Sequence, residues 1–121
     1  MTKEEGWERA REQIRGATTL DLAIIEATNA VWKKLTLTKE LDERSANIII
    51  EVLTTHLPKA VEVRNSLDYL KRAFEIAKEE RVTVYDALFV ALAESLNEDL
   101  VTCDEKQYEV ALKYVGARLL K

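Results

Sequence analysis

The 121-residue sequence is poor in the residues that bring covalent or metal cross-links. It has one cysteine, one histidine, one proline and three glycines. A single Cys103 excludes an internal disulfide framework and fits a reducing compartment, so a cytoplasmic location is expected. One His56 beside one cysteine also leaves no zinc cluster of the usual kind. So little Gly and Pro alongside 47% hydrophobic residues excludes a disordered or low-complexity chain. Long apolar runs are missing too. Glu26, Asp86 and Glu94 interrupt the longest ones, and nothing is expected to span a membrane. No basic, apolar leader precedes the first helical pattern, so no secretory signal is read. Finally, there is no excess of positive charge: 18 Lys and Arg stand against 22 Asp and Glu, a net charge of −4. A protein that grips nucleic acid mainly through its phosphates would carry more. The balance disfavours a plain nucleic-acid binder and leaves room for an acidic, metal-dependent enzyme.

What is present is an alternation of helical patterns with strands of three or four residues. Residues 3–15 read as a short polar helix with Trp7, Ala10 and Ile14 at helical spacing, stopped by Gly16. A short strand at 17–19 precedes a dense apolar run from Leu20 to Trp32, expected to be a helix buried on much of its circumference. After a turn at 36–38, residues 39–55 form a helix with Leu41, Ser45, Ile48, Ile49 and Val52 inward, broken by the proline segment 56–59. A strand at 60–63 follows. An amphipathic helix is predicted over 67–80, with Leu67, Leu70, Phe74 and Ala77 inward, and a second buried helix over 84–96. Residues 97–99 turn into a buried strand at 100–103, a last helix at 105–115 ended by Gly116, and an edge strand at 117–120. The alternation predicts one domain, residues 1–121, of three-layer α/β/α architecture with a short parallel sheet.

Several polar residues have structural explanations. Thr83 and Asp86, Asp104 and Gln107, and Thr18 and Asp21 each show the three-residue spacing of a capping box at a helix start. His56 reads as a surface or cap residue, and Cys103 as a buried strand residue with no histidine near it to activate it. Trp7, Trp32, Phe74, Tyr85 and Phe89 read as core or interface residues rather than a base-stacking platform. Lys33, Lys34, Lys39 and Arg44 suit a small basic rim and a solvated surface equally.

Glu26 is the hardest acid to explain by folding alone. It interrupts an apolar run, with Asn29 one turn later on the same helix face. A buried carboxylate needs a cation, a donor network or a water-filled cleft. A salt bridge to an arginine, a helix orientation that lets it reach water, and a catalytic or metal role all remain open for it. Asp104 directly follows an apolar strand, at the edge where open α/β sheets hold ligands, with Thr102 two residues earlier on the same side. Carboxylates converging there would suit a hard cation such as Mg2+ or Mn2+.

The stretch Thr-Val-Tyr-Asp-Ala-Leu-Phe-Val-Ala-Leu-Ala-Glu at 83–94, followed by Leu-Val-Thr-Cys-Asp at 100–104, resembles the second half of a PIN domain. Within that superfamily it is most similar to the small prokaryotic VapC-type toxins and their archaeal relatives. Residues 20–34, with Glu26 and Asn29, resemble the helix that supplies an internal acidic ligand. The resemblance implies a metal-dependent ribonuclease that cuts RNA by attack of metal-activated water on phosphorus. Carried over by motif, Glu26, Asp86 and Asp104 are the acidic active-site positions, and Thr102 and Asn29 the polar residues that touch or support them. Glu26 and Asp86 would hold Mg2+ or Mn2+, and Asp104 would complete the site through a water-mediated contact. The resemblance further implies a homodimer and a small antitoxin partner encoded beside the gene.

These residues lack one element of the family pattern, a buried first strand ending in Asp followed by Ser or Thr. The chain therefore reads as N-terminally truncated relative to the family. Three accounts stand: a missing true start, a degenerate member, or a sheet completed by rearrangement or by a partner. Two functions accompany them. One is RNA hydrolysis, and the other is a catalytically degenerate PIN-like protein acting as a protein-binding or oligomeric module.

Overall fold

A computed structural model of the chain describes residues 17–120, so the predicted helix at 3–15 and Trp7 lie outside the described residues. The chain divides between Arg64 and Asn65 into two compact units. The α/β class and the parallel pairing of short, helix-flanked strands agree with the sequence reading. The pairing is made in two ladders of two strands each.

In the first unit, β1 (Thr18–Leu20) runs parallel to β2 (Glu62–Arg64), with Thr18 opposite Glu62 and Leu20 opposite Arg64. Leu20, fully buried, ends β1 and leads straight into α1 (Asp21–Thr36). The predicted Thr18–Asp21 capping pair does not form, because Thr18 belongs to the ladder. Its hydroxyl donates to Glu62 at 3.4 Å, and Asp21 instead accepts the N–H of Leu22 at 2.8 Å. The expected burial of α1 is also corrected. Only Val31 is buried on it, and Ile25 and Trp32 are exposed. The neighbours of α1 are β1, the next helix and the turn after it, which cover one side. An apolar run without a polar stripe shows that a helix is sticky, not which arc is covered.

α2 (Glu43–Glu51) starts later than the pattern suggests, because Lys39 takes up a left-handed conformation with φ 56°. Asp42 caps it by accepting the N–H of Ser45 at 2.7 Å, and that bond holds the Asp42 carboxyl below its ordinary value. Ala46 is its buried contact, whereas Ile48, predicted inward, is exposed.

Pro58 does not break this helix. The backbone widens into a π turn at Val52–His56 and resumes as α3 (Leu57–Ala60), with Pro58 in its first turn. Proline lacks an N–H and its ring crowds the carbonyl four residues earlier, here Thr54. The wide turn, in which the N–H of Leu57 reaches back to Val52, relieves that conflict.

The second unit opens with a tight 3-10 turn, Ser66–Tyr69, capped by Asn65, and continues as α4 (Leu70–Glu80) and α5 (Val84–Leu96). Arg81 and Asn97, both left-handed, end these helices. Then follow β3 (Leu100–Thr102), α6 (Glu105–Ala111) and β4 (Ala117–Leu119), with β3 and β4 parallel and α6 crossing between them. The core is α4 packed on α5: Ala73, Ile76 and Ala77 are buried on one helix, Ala87, Leu88 and Val90–Ala93 on the other. The face predicted for α4 is therefore rotated. Of its four positions only Ala77 is buried, and Leu67, Leu70 and Phe74 are exposed.

β3 is less buried than expected. Val101 and Cys103 are exposed and Thr102 is its buried residue, which removes the idea of Cys103 as a core thiol. Trp32, Phe74 and Tyr85 are exposed as well, so none belongs to the core, and Phe89 is half-buried. Gly116 accepts the N–H of Leu100 at 2.9 Å where the two strands begin. A Cβ at that position would meet the end of the exposed Asp99 side chain, which would have to swing aside.

Charged groups tie the second unit together on its flank. Arg72 of α4 grips Glu94 of α5 through two bonds of 2.7 and 2.9 Å and also reaches Glu75 at 3.0 Å. These bonds raise the Arg72 pKa, and the same guanidinium holds Glu94 below its ordinary value. Arg72 also stacks over the Tyr114 ring at 5.5 Å, and Lys113 pairs with Glu80 at 2.7 Å. Burial, then the nearby Glu79 and Glu80, pushes the Tyr114 hydroxyl up.

Candidate active site

The acidic positions lie on helices of both units. Glu26 and Asn29 are on α1, and both are exposed. Of the explanations open for Glu26, an orientation of α1 that lets the carboxylate reach water is the one its exposure fits. His56 is exposed, as a surface role predicts, and so are Lys33, Lys34, Lys39 and Arg44.

Asp86, Thr102 and Asp104 all belong to the second unit, and local folding fixes each. Thr83 caps α5, its hydroxyl oxygen accepting the N–H of Asp86 at 3.2 Å. That places Asp86, half-buried, in the first turn of α5. Asp104 caps α6, with one carboxylate oxygen, Oδ1, accepting the N–H groups of Lys106 at 2.8 Å and Gln107 at 3.2 Å. Two of the three predicted caps are therefore real. The carboxylate of Asp86 enters no hydrogen bond or ion pair among the described residues, and Oδ2 of Asp104 is likewise uncommitted among them.

The sequence reading missed Gln107 as anything more than half of a capping box. In a capping box its side chain would turn back to the backbone N–H of Asp104. Here Thr102 takes that N–H on its hydroxyl oxygen at 3.1 Å. The Thr102 hydroxyl in turn donates to Oε1 of Gln107 at 2.6 Å, and Nε2 of Gln107 donates to the backbone carbonyl of Asp86 at 3.2 Å. One side chain thus joins the end of β3 and the starts of α5 and α6. Thr102 is 8% exposed and its single hydroxyl proton is committed to Gln107. Thr102 therefore acts inside the protein. The signal that could have exposed Gln107 was the competition for one N–H between a threonine two residues before the cap and a glutamine three residues after it.

A family model for the PIN domain matches residues 1–113. The chain belongs to the PIN-domain family. It is 36% identical over 107 residues to Ribonuclease VapC3 of Pyrobaculum aerophilum, an alignment covering 88% of this chain and 80% of that protein. It is also similar to the crystal structure of PAE2754 from Pyrobaculum aerophilum, with a TM-score of 0.65 and 27% identity, covering 83% of this chain and 69% of that one. The VapC-like character inferred from residues 83–104 is therefore established at the level of family.

The PIN domain implies a divalent metal held by acidic side chains. Among the described residues, no group of three or more His, Cys, Asp or Glu is placed to hold a metal ion. Asp86 and Asp104 have the hard oxygen donors that magnesium prefers, and such an ion is often held by one or two carboxylates plus water and substrate phosphate. The two carboxylates fit in chemistry as an open pair. Among those residues, no helix is long and apolar enough to cross a membrane.

Proposed function

We propose that this PIN-family chain works chiefly as a protein-binding module, engaging a small protein partner of the toxin–antitoxin kind, with cleavage reduced or lost. The observation that carries this reading is the apolar stripe of Leu67, Leu70 and Phe74, whose side chains follow one another along one side of the 3-10 turn and α4. They are 69%, 39% and 59% exposed. An exposed, contiguous apolar stripe on a folded unit marks an interaction surface. The docking of an amphipathic partner segment suits that spacing.

A second reading is a ribonuclease dependent on Mg2+ or Mn2+, hydrolysing RNA phosphodiesters. The relationship to Ribonuclease VapC3 and the open carboxylate oxygens of Asp86 and Asp104 favour it. In that reading a bound metal supplies an activated water and charge neutralisation at phosphorus. The chain's own contribution is to hold Asp86 and Asp104 at two capped helix starts beside the buried Thr102.

One experiment separates the two. Nuclease-free protein and its Asp86→Asn variant are incubated with mixed RNAs and manganese, and light scattering follows the chain alone and with the protein encoded beside it. The expected outcome is no cleavage above the variant's and a discrete heteromeric complex that Phe74→Asp weakens. Manganese-dependent cleavage that vanishes with Asp86→Asn, with no complex formed, would replace the first reading by the second.

A further inference from the structure

The family relationship assigns no role to Gln107, yet its side chain is where the two acidic helix starts meet. We infer that Gln107 is a positioning residue that sets the spacing of Asp86 and Asp104, and that Thr102 acts through it rather than on a substrate. The inference deepens the metal-dependent reading and rests on it for its functional meaning.

A primary amide has one acceptor oxygen and two donor hydrogens in a fixed plane. Gln107 uses the oxygen for the Thr102 hydroxyl at 2.6 Å and the nitrogen for the Asp86 carbonyl at 3.2 Å. Its backbone N–H goes to the Asp104 carboxylate at 3.2 Å. One residue therefore fixes the backbone at Asp86 and the side chain of Asp104 together. Thr102 orients the amide, since its hydroxyl has one proton to give and accepts from Asp104 N–H at the same time. That polarity selects the amide orientation with oxygen toward Thr102 and nitrogen toward Asp86. A carboxylate in place of the amide would put an acceptor against a carbonyl, and an alkyl group would leave that carbonyl and the Thr102 proton unsatisfied.

A pair of carboxylates has to be held within about 0.5 Å of its working geometry to act on one ion. Exposed as Asp104 is, its own cap bonds hold it to α6 but not to α5. Of the hydrogen bonds among the described residues, the Gln107 amide makes the one that crosses from α6 to the first turn of α5.

The test uses the full chain, free of metal and then with manganese alone. Backbone amide signals are compared in the intact protein, Gln107→Leu, Thr102→Val, Thr102→Ser and the Gln107→Leu/Thr102→Val double variant. Manganese affinity is then measured by electron paramagnetic resonance. In the metal-free protein, Gln107→Leu is expected to shift the signal of Ala87, whose N–H shares the peptide of the Asp86 carbonyl. Manganese affinity is expected to fall at least fivefold in Gln107→Leu and Thr102→Val, no further in the double variant, and to be retained in Thr102→Ser. Unchanged Ala87 signals and unchanged affinity in folded Gln107→Leu overturn the inference. An intact protein that takes up no manganese refutes the metal reading separately. The amide signals alone then decide: shifts in Gln107→Leu at both Ala87 and Lys106, whose N–H is held by the Asp104 carboxylate, uphold Gln107 as the spacer of the two helix starts, and either one unmoved overturns it.

Discussion

The two units of this protein are stabilised in different ways. Among the described residues, the first buries Leu20, Val31, Ala46 and Val61, each on a different segment. The second buries eleven apolar residues, nine of them on two packed helices. Five of those nine are alanines, Ala73, Ala77, Ala87, Ala91 and Ala93, and the larger four are Ile76, Leu88, Val90 and Leu92. Each unit has a three-residue parallel ladder, and among the described residues the second adds two packed helices and cross-linked charges. The candidate site residues follow that division. Glu26 and Asn29 stand on a helix with little buried, while Asp86 begins one of the two packed helices and Gln107 joins Thr102 and Asp104 to it.

The largest expected effect tests the packing side of this contrast. Ile76→Ala removes a fully buried side chain from the α4–α5 core and is expected to cost about 3 kcal/mol. Val31→Ala in the first unit is expected to cost about 1.5 kcal/mol, because less is lost and the site is nearer to water. Urea unfolding of the two variants measures both. Equal losses would break the distinction between the units.

A smaller effect belongs to Arg72. Because Glu94 is held below its ordinary value in the folded chain, its contribution is fully present above the unfolded value near 4.5. It is lost as the pH falls through the lower, folded value. Arg72→Met is therefore expected to cost about 1 kcal/mol at neutral pH and progressively less in acid, where the intact protein has lost the same interaction. Thermal unfolding from pH 7 down to pH 3 measures it. A difference that stays constant with pH would assign the loss to the Arg72 guanidinium over the Tyr114 ring.

The smallest effect sharpens the comparison at the helix starts. Asp104→Ala removes a cap and is expected to cost about 1 kcal/mol, Asp42→Ala is expected to loosen the start of α2 in the same way, and Asp104→Asn keeps an acceptor and costs only a few tenths. Amide exchange in the first turns of α2 and α6 reports each loss locally. The Asn variant therefore removes charge from the candidate site without unfolding it.

Legibility in the sequence follows the same line. The helix at 84–96 is read to its last residue because three signals coincide there: the Thr83 cap, a continuous apolar run and the Asn97 stop. The strand beginning at Leu100 and the parallel pairing are legible for similar reasons. The inner face of α4 is not, because Leu70, Phe74, Ala73, Ile76 and Ala77 span a broad apolar arc. Choosing its centre by side-chain size points at Phe74, whereas the buried side is that of Ala73, Ile76 and Ala77. The exposure of Glu26 is hidden because interruption of an apolar run looks the same whether the acid faces a cleft or water. Asp86 and Asp104 are legible as cap and candidate site together, but the bridge between them is not, since β3 and α5 are brought to Gln107 only by tertiary folding.

The wide turn at Val52–His56 has a consequence for how this chain tolerates change in length. A π turn is an α-helix holding one residue more than its pitch requires. The helix thus carries its slack next to Pro58, and β2 begins only after α3 has regained ordinary pitch. Removing one residue from the turn would tighten it toward regular helix, at the expense of bringing the Pro58 ring back against a carbonyl. Removing one from β2 would flip Val63 to the opposite face of the ladder. Slack kept in a helix is the milder place for such a loss, and it shields the parallel register of Thr18–Leu20 with Glu62–Arg64 from it.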